Sequence, residues 1–432
     1  MAMAMGMDMA TARRRRTSRR APSPFLLLKG MDRSTLVRNV GLAVATLVLA
    51  YAAFASALAG VVKISHPSVA LNFDANQPTA LAVLADEALL QTDDRTAPDR
   101  AAEQARAALR SLALSPAALR ILGLTNGERA GAGQTLALMD LSTRVSRHDF
   151  GAQLWWIEHQ VGQGNAARAL EHYDIAMRIN QSARTLLIPV LFAALDDAQI
   201  QRDIVPYVRA GSPWVQELIV HATAPGRDPS SLVEPLLRAG AYVKSTEFGR
   251  LARQTMEGLL AAGKVDAVQR LYGVLPGSDP SLLERADFNK ASMQEQFIPV
   301  AWDLSASSTA GSALEKSGGR YVLRAFVGGG EHGTVARKLM FLKPGSYAFS
   351  TRAEIVSTAS RQMAVWQIVC MKMAQREVVW KADALPGKAT SLAQPLVIQP
   401  DCPAQSVELD LQAGEGLAGL ELIVRSIEFR KL

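Results

Sequence analysis

The stretch 40–62 reads VGLAVATLVLAYAAFASALAGVV and holds no charged residue over 23 positions. A helix of roughly 20 apolar residues crosses the hydrocarbon core of a bilayer, so this stretch predicts a transmembrane helix. Cations crowd its N-terminal side, whereas Lys63 is the one cation that follows it before Arg95. Because positive charge stays on the cytoplasmic side, we expect a basic cytoplasmic tail over 1–39 and export of everything after the span.

A cleaved signal peptide is the alternative, because Ala57-Leu58-Ala59 is a small-x-small cleavage pattern at the end of the apolar run. Signal peptides usually have an apolar core of only about 7 to 15 residues, which favours an uncleaved anchor in a bacterial inner membrane. Both alternatives place the body of the protein in the periplasm. The start of translation is open as well, since Met31 is a candidate initiator beside Met1.

The basic charge of the chain is confined to its start. The formal net charge is +7, and residues 1–40 alone carry nine Lys and Arg against two Asp. The remaining body is therefore electrically balanced and offers no basic face to a phosphate backbone, which argues against a nucleic-acid partner. A length of 432 residues is typical of two or three domains.

A self-similarity with a period of 34 residues runs through the middle of the chain. Each unit combines an apolar helix, a glycine-containing turn and a second helix with small residues where two helices approach. The pattern resembles the tetratricopeptide-repeat family, and the resemblance implies an all-α solenoid of stacked helix pairs that binds a protein partner. Helical patterning extends the solenoid over 82–274, between linkers at 63–81 and 275–296. The residues that carry the resemblance are Leu122, Gly123, Gly164, Ala169, Tyr173 and Ala176.

The run Glu171-His172-Tyr173-Asp174 lies inside one of these predicted helices. Tyr173 belongs to the apolar stripe of the helix, and residues adjacent in sequence diverge by about 100 degrees around a helix axis. We therefore expect Glu171, His172 and Asp174 on a solvated face and not in a metal or catalytic cluster.

After residue 297 the apolar pattern changes from a helical period to alternation. Eight short segments rich in β-branched and aromatic residues are separated by turn signals such as Pro344-Gly345. We predict a separate all-β sandwich of jelly-roll type over 297–432. Its layout resembles the carbohydrate-binding sandwiches of envelope proteins, and the resemblance implies a polysaccharide partner.

Both cysteines of the chain, Cys370 and Cys402, fall in this predicted sandwich. An oxidising compartment permits a disulfide between them. Two buried thiols are the alternative, since free cysteine behaves as a small apolar residue.

Aromatic residues of the sandwich are candidates for a sugar-stacking platform, although most aromatic residues in alternating strands belong to the core. Trp380 is the preferred glycan contact, because the outward neighbours on its strand are charged. The further candidates are Tyr347, Trp302, Tyr321 and Trp366.

The stretch Gly328–Gly333, GGGEHG, matches the letters of a dinucleotide-binding fingerprint. That fingerprint needs its glycines to open a helix, but a Pro-Gly turn follows too soon, so we interpret the stretch as a long hairpin loop. The six histidines are scattered singly, and two cysteines cannot build a multi-thiolate zinc site. The sequence predicts no cofactor, no metal site and no catalytic residue.

These features together predict a non-enzymatic scaffold or adaptor anchored in the inner membrane, with its bulk in the periplasm. It would bind a protein partner through the helical repeats and a glycan through the sandwich. The layout resembles that of envelope scaffolds in Gram-negative bacteria, and this resemblance implies a role in exopolysaccharide or cell-envelope assembly or export. A polysaccharide-active enzyme with an accessory sandwich is the first alternative. A peptidoglycan-associated or division-associated adaptor is the second.

A reporter enzyme that is active only outside the cytosol tests the predicted export. Fused after Leu432, the reporter should be active, because the charge asymmetry around 40–62 keeps the N-terminus in the cytosol. The measurement is reporter activity in intact cells, with a cytosol-active reporter at the same position as the control. A silent exported reporter beside an active cytosolic one would contradict the predicted orientation.

Overall fold

The computed structural model describes residues 33–91, 94–240, 246–356, 362–372, 375–384, 390–415 and 418–432. Within these ranges a helical region is followed by two antiparallel sheets that form a β-sandwich. The predicted fold class, a helical region and then an all-β sandwich behind one N-terminal apolar helix, is confirmed. Residues 1–32 of the predicted basic tail, with both candidate start sites, lie outside the described residues.

The helices are α1 Arg33–Val62, α2 Pro67–Phe73, α3 Pro78–Leu89, α4 Ala97–Ser111, α5 Pro116–Ala130, α6 Ala132–Val145, α7 Phe150–Gly162, α8 Ala166–Ile179, α9 Arg184–Ala194, α10 Ala198–Asp203, α11 Val205–Ala210, α12 Pro213–Ala222, α13 Val233–Ala239, α14 Thr246–Ala261 and α15 Val265–Val274. The strands are β1 Asp303–Leu304, β2 Ala310–Ser317, β3 Arg320–Val327, β4 His332–Met340, β5 Gly345–Ile355, β6 Met363–Lys372, β7 Gln375–Asp383, β8 Thr390–Ile398, β9 Gln405–Gln412 and β10 Leu420–Lys431.

Helix α1 is long and apolar enough to cross a membrane over Ser34–Val62. Its apolar side chains are largely exposed on the protein, with Leu47 at 70%, as expected of a helix that would contact lipid. Near its C-terminal end Ala59 is buried against Ala70 and Ala80 of the following helices. The helix therefore connects directly to the folded part of the chain.

The chain divides into two compact units, one up to Leu138 and one from Met139. The division lies within α6, inside the range 82–274 that the sequence assigned to one solenoid. The core of the first unit is rich in alanine on α3 to α5, and small side chains let helices approach closely. Between these helices Arg120 donates two hydrogen bonds to the Asp86 carboxylate, at 2.8 and 2.7 Å.

The helix spacing matches the sequence period in the first half of the helical region. Helices α4, α6 and α8 begin at Ala97, Ala132 and Ala166, which are 34 to 35 residues apart. The turn before α8 contains Gly164 with a φ of 69°, a left-handed conformation that favours glycine. After α8 the helices become shorter and less regular, as far as α13.

Helix α8 buries the stripe that its sequence predicts. The buried residues are Ala169, Leu170, Tyr173, Ala176 and Met177. In the first unit Leu122 is buried at 8% exposure, and the Gly123 carbonyl of α5 accepts a hydrogen bond from the Thr135 hydroxyl of α6 at 3.2 Å. The residues that carry the predicted resemblance thus lie in helices and in the turn before α8.

In the second unit one continuous core joins the later helices to the sandwich. It extends from α7 and α8 to Phe297, Leu339 and Phe341. The stretch 275–296, which the sequence assigned to a linker, contains short 3-10 helices with a fully buried Leu282. The Phe341 N–H donates to the Leu283 carbonyl at 2.7 Å, so this stretch is packed against the sandwich.

Among the described residues the sandwich consists of two five-stranded sheets. The first sheet has the strand order β1-β4-β9-β6-β7 and the second the order β2-β3-β10-β5-β8. Alternating apolar residues of both sheets meet in one core that includes Trp302, Phe349 and Trp366. This is the layered arrangement expected for two packed antiparallel sheets.

The glycine-rich stretch Gly328–Gly333 connects β3 of the second sheet to β4 of the first. The prediction of a hairpin loop is therefore wrong, because a hairpin joins neighbouring strands of one sheet. The connection is held by hydrogen bonds from the Gly330 N–H to the Gly414 carbonyl (2.9 Å) and from the Ala413 N–H to the Glu331 carbonyl (3.0 Å).

The predicted disulfide between Cys370 and Cys402 is present. Cys370 lies on β6 and Cys402 precedes β9, and both are at most 3% exposed in the sandwich core. The alternative of two buried thiols is therefore wrong. The bridge joins positions 32 residues apart in sequence, so it restricts the unfolded chain considerably.

Removal of the disulfide should destabilise the sandwich. We expect the double variant Cys370→Ala and Cys402→Ala to lose about 2 to 4 kcal/mol of unfolding free energy, because the unfolded chain regains the freedom of the closed loop. Denaturant unfolding of the detergent-solubilised chain measures the loss. Reductant should lower wild-type stability and leave the double variant unchanged. Equal stability of oxidised and fully reduced wild type would contradict the assignment.

Candidate functional site

Three of the predicted glycan contacts lie in the sandwich core: Trp366 is fully buried, and Trp302 and Tyr347 are nearly so. Trp302 is 2% exposed and Tyr347 is 6% exposed. The Trp302 ring packs 5.6 Å from the ring of Phe288, and the Tyr347 hydroxyl donates to the Lys343 carbonyl at 2.8 Å. A stacking sugar needs an open ring face, so the structure places all three residues in packing roles instead.

Trp380 is half-buried at the open side of the sandwich, where β7 and β8 form the edges of the two sheets. Its Nε1 donates to the Pro395 carbonyl of β8 at 2.9 Å, and its ring lies 4.8 Å from that of Phe349. Trp380 therefore links the two sheet edges. Its contact with a glycan stays a prediction.

A groove of about 820 Å³ lies at one end of the sandwich. We call it the end groove; it is formed by the segment before the sandwich, the start of β3 and the second half of β10. Three half-buried rings line it, those of Phe288, Tyr321 and Phe429. The Phe288 and Phe429 rings also contact the core rings of Trp302 and Phe349, at 5.6 and 5.2 Å. The end groove is thus continuous with the aromatic core.

A tight turn positions Tyr321 in the end groove. Ser317 and Arg320 pair across the β2–β3 hairpin, and the two residues between them, Gly318 and Gly319, have φ values of 58° and 82°. Two consecutive positive φ values are typical of the hairpin turn that matches strand twist, and they favour glycine. The Lys316 ammonium lies 5.5 Å from the centre of the Tyr321 ring.

Charged side chains border the three rings of the end groove. Arg285 pairs with Asp287, and Arg425 pairs with Glu354 at 2.7 Å. Arg320 is exposed and has no hydrogen-bond or ion-pair partner among the residues that the structure describes. The groove therefore combines ring faces with guanidinium donors and carboxylate acceptors.

A second groove lies within the second unit, between α14 and the outer face of the first sheet. We call it the junction groove; it comprises three clefts of about 630, 660 and 310 Å³ that share Arg253. Aliphatic side chains, among them Leu260, Leu339 and Met371, form part of its floor. Its charged lining residues are Arg250, Arg253, Glu257, Glu295, Asp303, Arg337, Lys338 and Arg376.

Carboxylates hold the arginine side chains of the junction groove in place. Asp303 accepts from Arg337 at 2.6 Å and from Arg253 at 3.4 Å, so it lies between two guanidinium groups. Arg376 pairs with Glu408 at 2.5 Å. The Gln367 amide donates to Glu408 at 3.2 Å. This network crosses strands β1, β4, β6, β7 and β9.

Lys338 lies below the junction groove and is 1% exposed. Its Nζ donates to the Leu282 carbonyl at 2.7 Å and to the Val300 carbonyl. Burial lowers the pKa of Lys338 to about 7, although Asp287 and Asp279 oppose this lowering. The amine ties the segment before the sandwich to β4.

The run Glu171-His172-Tyr173-Asp174 is less solvated than its sequence indicates. His172 is half-buried, stacks on Trp156 at 5.5 Å and makes a 2.7 Å hydrogen bond through Nδ1 to the Gln153 side chain. Asp174 accepts from the Trp214 indole at 2.8 Å. The prediction of a solvated face is therefore wrong for these two residues, because α7 packs against His172 and α12 packs against Asp174.

Within the described part of the chain, no group of three or more His, Cys, Asp or Glu side chains is placed to hold a metal ion.

No protein-family model and no curated protein matches the chain. The solved structures that are similar to it include the following three. The enzymatically active domain of bacteriophage CBA120 tailspike protein 4 matches at 8% identity and a TM-score of 0.24, over 30% of this chain and 19% of that chain. TmCBM61 in complex with β-1,4-galactotriose matches at 11% identity and a TM-score of 0.23, over 34% of this chain and 99% of that chain. A CBM4 structure matches at 12% identity and a TM-score of 0.23, over 30% of this chain and 86% of that chain.

These matches correspond to the C-terminal part of the chain and concern its β-sandwich alone. This chain spans about a fifth of the tailspike domain. The resemblance of the helices to tetratricopeptide repeats stays a prediction.

The pKa of Lys338 predicts a pH-dependent stability. A buried ammonium destabilises the fold while it is charged. This free-energy cost is fully present below about pH 7 and disappears as the pH rises toward 10.5, the ordinary pKa of a lysine side chain. We expect the unfolding free energy of the wild type, minus that of Lys338→Met, to rise by on the order of 3 kcal/mol between pH 7 and 9.5.

Denaturant unfolding of the detergent-solubilised wild type and variant at several pH values measures this difference. The carbonyls that lose their donor in Lys338→Met add a cost that does not change with pH. A difference that stays constant over this pH range would show that Lys338 does not titrate there.

Proposed function

We propose that the protein is a non-enzymatic, membrane-anchored scaffold that binds a polysaccharide through the end groove of its sandwich. Its role would lie in the assembly or export of exopolysaccharide or another envelope polymer, with the body of the chain in the periplasm. The observation that carries this proposal is the set of three half-buried rings in one groove beside an exposed guanidinium without a described partner.

The composition of the end groove suits a sugar. A pyranose ring presents C–H groups that stack on aromatic faces, and Phe288, Tyr321 and Phe429 offer such faces. Its hydroxyl groups need directed donors and acceptors, which Arg320 and Glu428 supply at the rim. The volume of about 820 Å³ lies within the range of roughly 300 to 1,000 Å³ typical of small-ligand sites.

Two features support a location outside the cytosol. Helix α1 is long and apolar enough to span a membrane over Ser34–Val62. The Cys370–Cys402 disulfide is typical of an oxidising compartment, since cytosolic thiols are kept reduced. Anchorage would hold the sandwich close to the membrane at which a polymer emerges.

The helical region would bind a protein partner. Leu186 and Val190 lie one turn apart on α9 and are 72% and 56% exposed, so they form one apolar strip on the helix surface. Contiguous exposed apolar surface is typical of protein interaction sites. This apolar strip supports the proposal that a protein partner binds at α9.

Substitution of Tyr321 tests the end groove. Tyr321→Ala should weaken polysaccharide binding about three- to tenfold, because a stacked ring contributes about 0.5 to 1.5 kcal/mol beyond its buried area. A glycan array of envelope polysaccharides, followed by titration calorimetry on the solubilised chain, measures the change. Trp380→Ala in the same assay tests the sequence-based candidate.

Phe326→Ala is the matched control, since Phe326 lies on the same strand, is 43% exposed and points to the outer face of the second sheet. It should leave binding unchanged. The proposal fails when no envelope polysaccharide binds, or when Phe326→Ala and Tyr321→Ala weaken binding equally.

A further inference from the structure

In the junction groove two arginine side chains are more exposed than their carboxylate partners, whereas Glu257, at 43%, is more exposed than its partner Arg253, at 31%. The side chain of Arg337 is 53% exposed, whereas that of its partner Asp303 is 17% exposed. The difference is larger for Arg376, at 51%, and Glu408, at 3%. A ligand that reaches Arg337 and Arg376 therefore meets their hydrogen-bond donors before the carboxylates of Asp303 and Glu408.

The exposed guanidinium groups have N–H donors that their carboxylate partners do not use. Arg337 uses Nε and Nη2 on Asp303, and Arg376 uses Nη2 on Glu408. A guanidinium carries five N–H groups in a planar fork that matches a carboxylate. The buried carboxylates hold these forks in place, so a ligand would lose little free energy in ordering them.

We propose that the junction groove binds the carboxylate groups of an acidic polysaccharide. Three adjoining clefts that share Arg253 offer room for several successive sugars of a linear chain. Arg337 and Arg376 line the central cleft and would each receive a uronate carboxylate. The site is distinct from the end groove.

Other polyanions fit the junction groove less well. Its described lining holds no aromatic ring on which a nucleic-acid base would stack. A peptide that binds as an added strand would need free backbone groups at a strand edge. On β4 the Leu339 N–H donates to the Pro299 carbonyl at 2.8 Å, and the Val335 carbonyl accepts from the Ser305 N–H at 2.9 Å. A peptide therefore cannot add a strand at these positions of β4, and recognition in the groove depends on side chains. Three adjoining clefts lined by side chains suit the successive sugars of a polysaccharide.

Matched probes test the inference on the detergent-solubilised full chain. The probes are oligogalacturonate and the same oligomer after reduction of its carboxyl groups to alcohols. Titration calorimetry should show at least tenfold tighter binding of the uronate form. The double variant Arg337→Gln with Arg376→Gln should lose at least tenfold in affinity for that form, while Arg352→Gln, an exposed arginine on the outer face of the second sheet, should lose none.

Equal affinity for the two oligomers would overturn the inference. Removal of Arg337 and Arg376 leaves Asp303 with Arg253 as its remaining charged partner and Glu408 with the neutral donors of Gln367 and Ser406, so the glutamine variant can fail to fold. Arg337→Lys with Arg376→Lys then decides the matter, because lysine keeps the charge and loses the fork. We expect three- to tenfold weaker uronate binding by this variant, and an unchanged affinity would overturn the inference.

Two further arms separate this site from its alternatives. Polyglutamate that binds as tightly as the uronate, with the same dependence on Arg337 and Arg376, would assign the groove to acidic peptides and overturn the polysaccharide. Tyr321→Ala should leave uronate binding unchanged. Uronate binding that disappears in Tyr321→Ala would place the ligand in the end groove, so this inference would fail while the proposed function stands.

Discussion

One buried amine ties strand β4 to the segment that leads from the helices into the sandwich. The Lys338 ammonium on β4 reaches two backbone carbonyls of the segment that enters the sandwich, Leu282 and Val300. A buried donor of this kind is costly unless it is satisfied, and its loss would leave two carbonyls without a donor. Around it Phe297, Leu339 and Phe341 extend the helical core into the sheet. The helical region after Met139 and the sandwich therefore share one folded unit, and the junction groove is part of that contact.

The sequence predicted most of the strands, because apolar and polar residues alternate wherever one face of a strand is buried. Val407, Leu409 and Leu411 of β9 face the core at no more than 1% exposure. The same pattern misleads on the opposite face of β9, where Glu408 is 2% exposed beneath Arg376 and the Gln367 amide. A central strand can bury charge on its outer face when neighbouring side chains pair with it, and alternation alone does not reveal those neighbours.

The features that sequence patterns missed depend on tertiary contacts. Strand β2, AGSALEKS, contains few β-branched or aromatic residues and is recruited by its eight pairings with β3. The end groove brings together Phe288, Tyr321 and Phe429, which are far apart along the chain. Tyr321 was among the aromatic candidates from the sequence. The Gly318-Gly319 turn beside it was the available sequence signal for its position at the end of the sandwich. The burial of Trp302 and Tyr347 could not be predicted from the sequence, because it depends on which strand ends pack together in the folded sandwich.

The order of strands in the second sheet has a consequence for biogenesis. Strand β10 lies between β3 and β5 and supplies the backbone partners of both. Because β5 is synthesised more than sixty residues before β10, it has no neighbour on that side until β10 has been made. During synthesis the two halves of this sheet therefore have unpaired edges, a state in which chaperones bind and non-native strands compete.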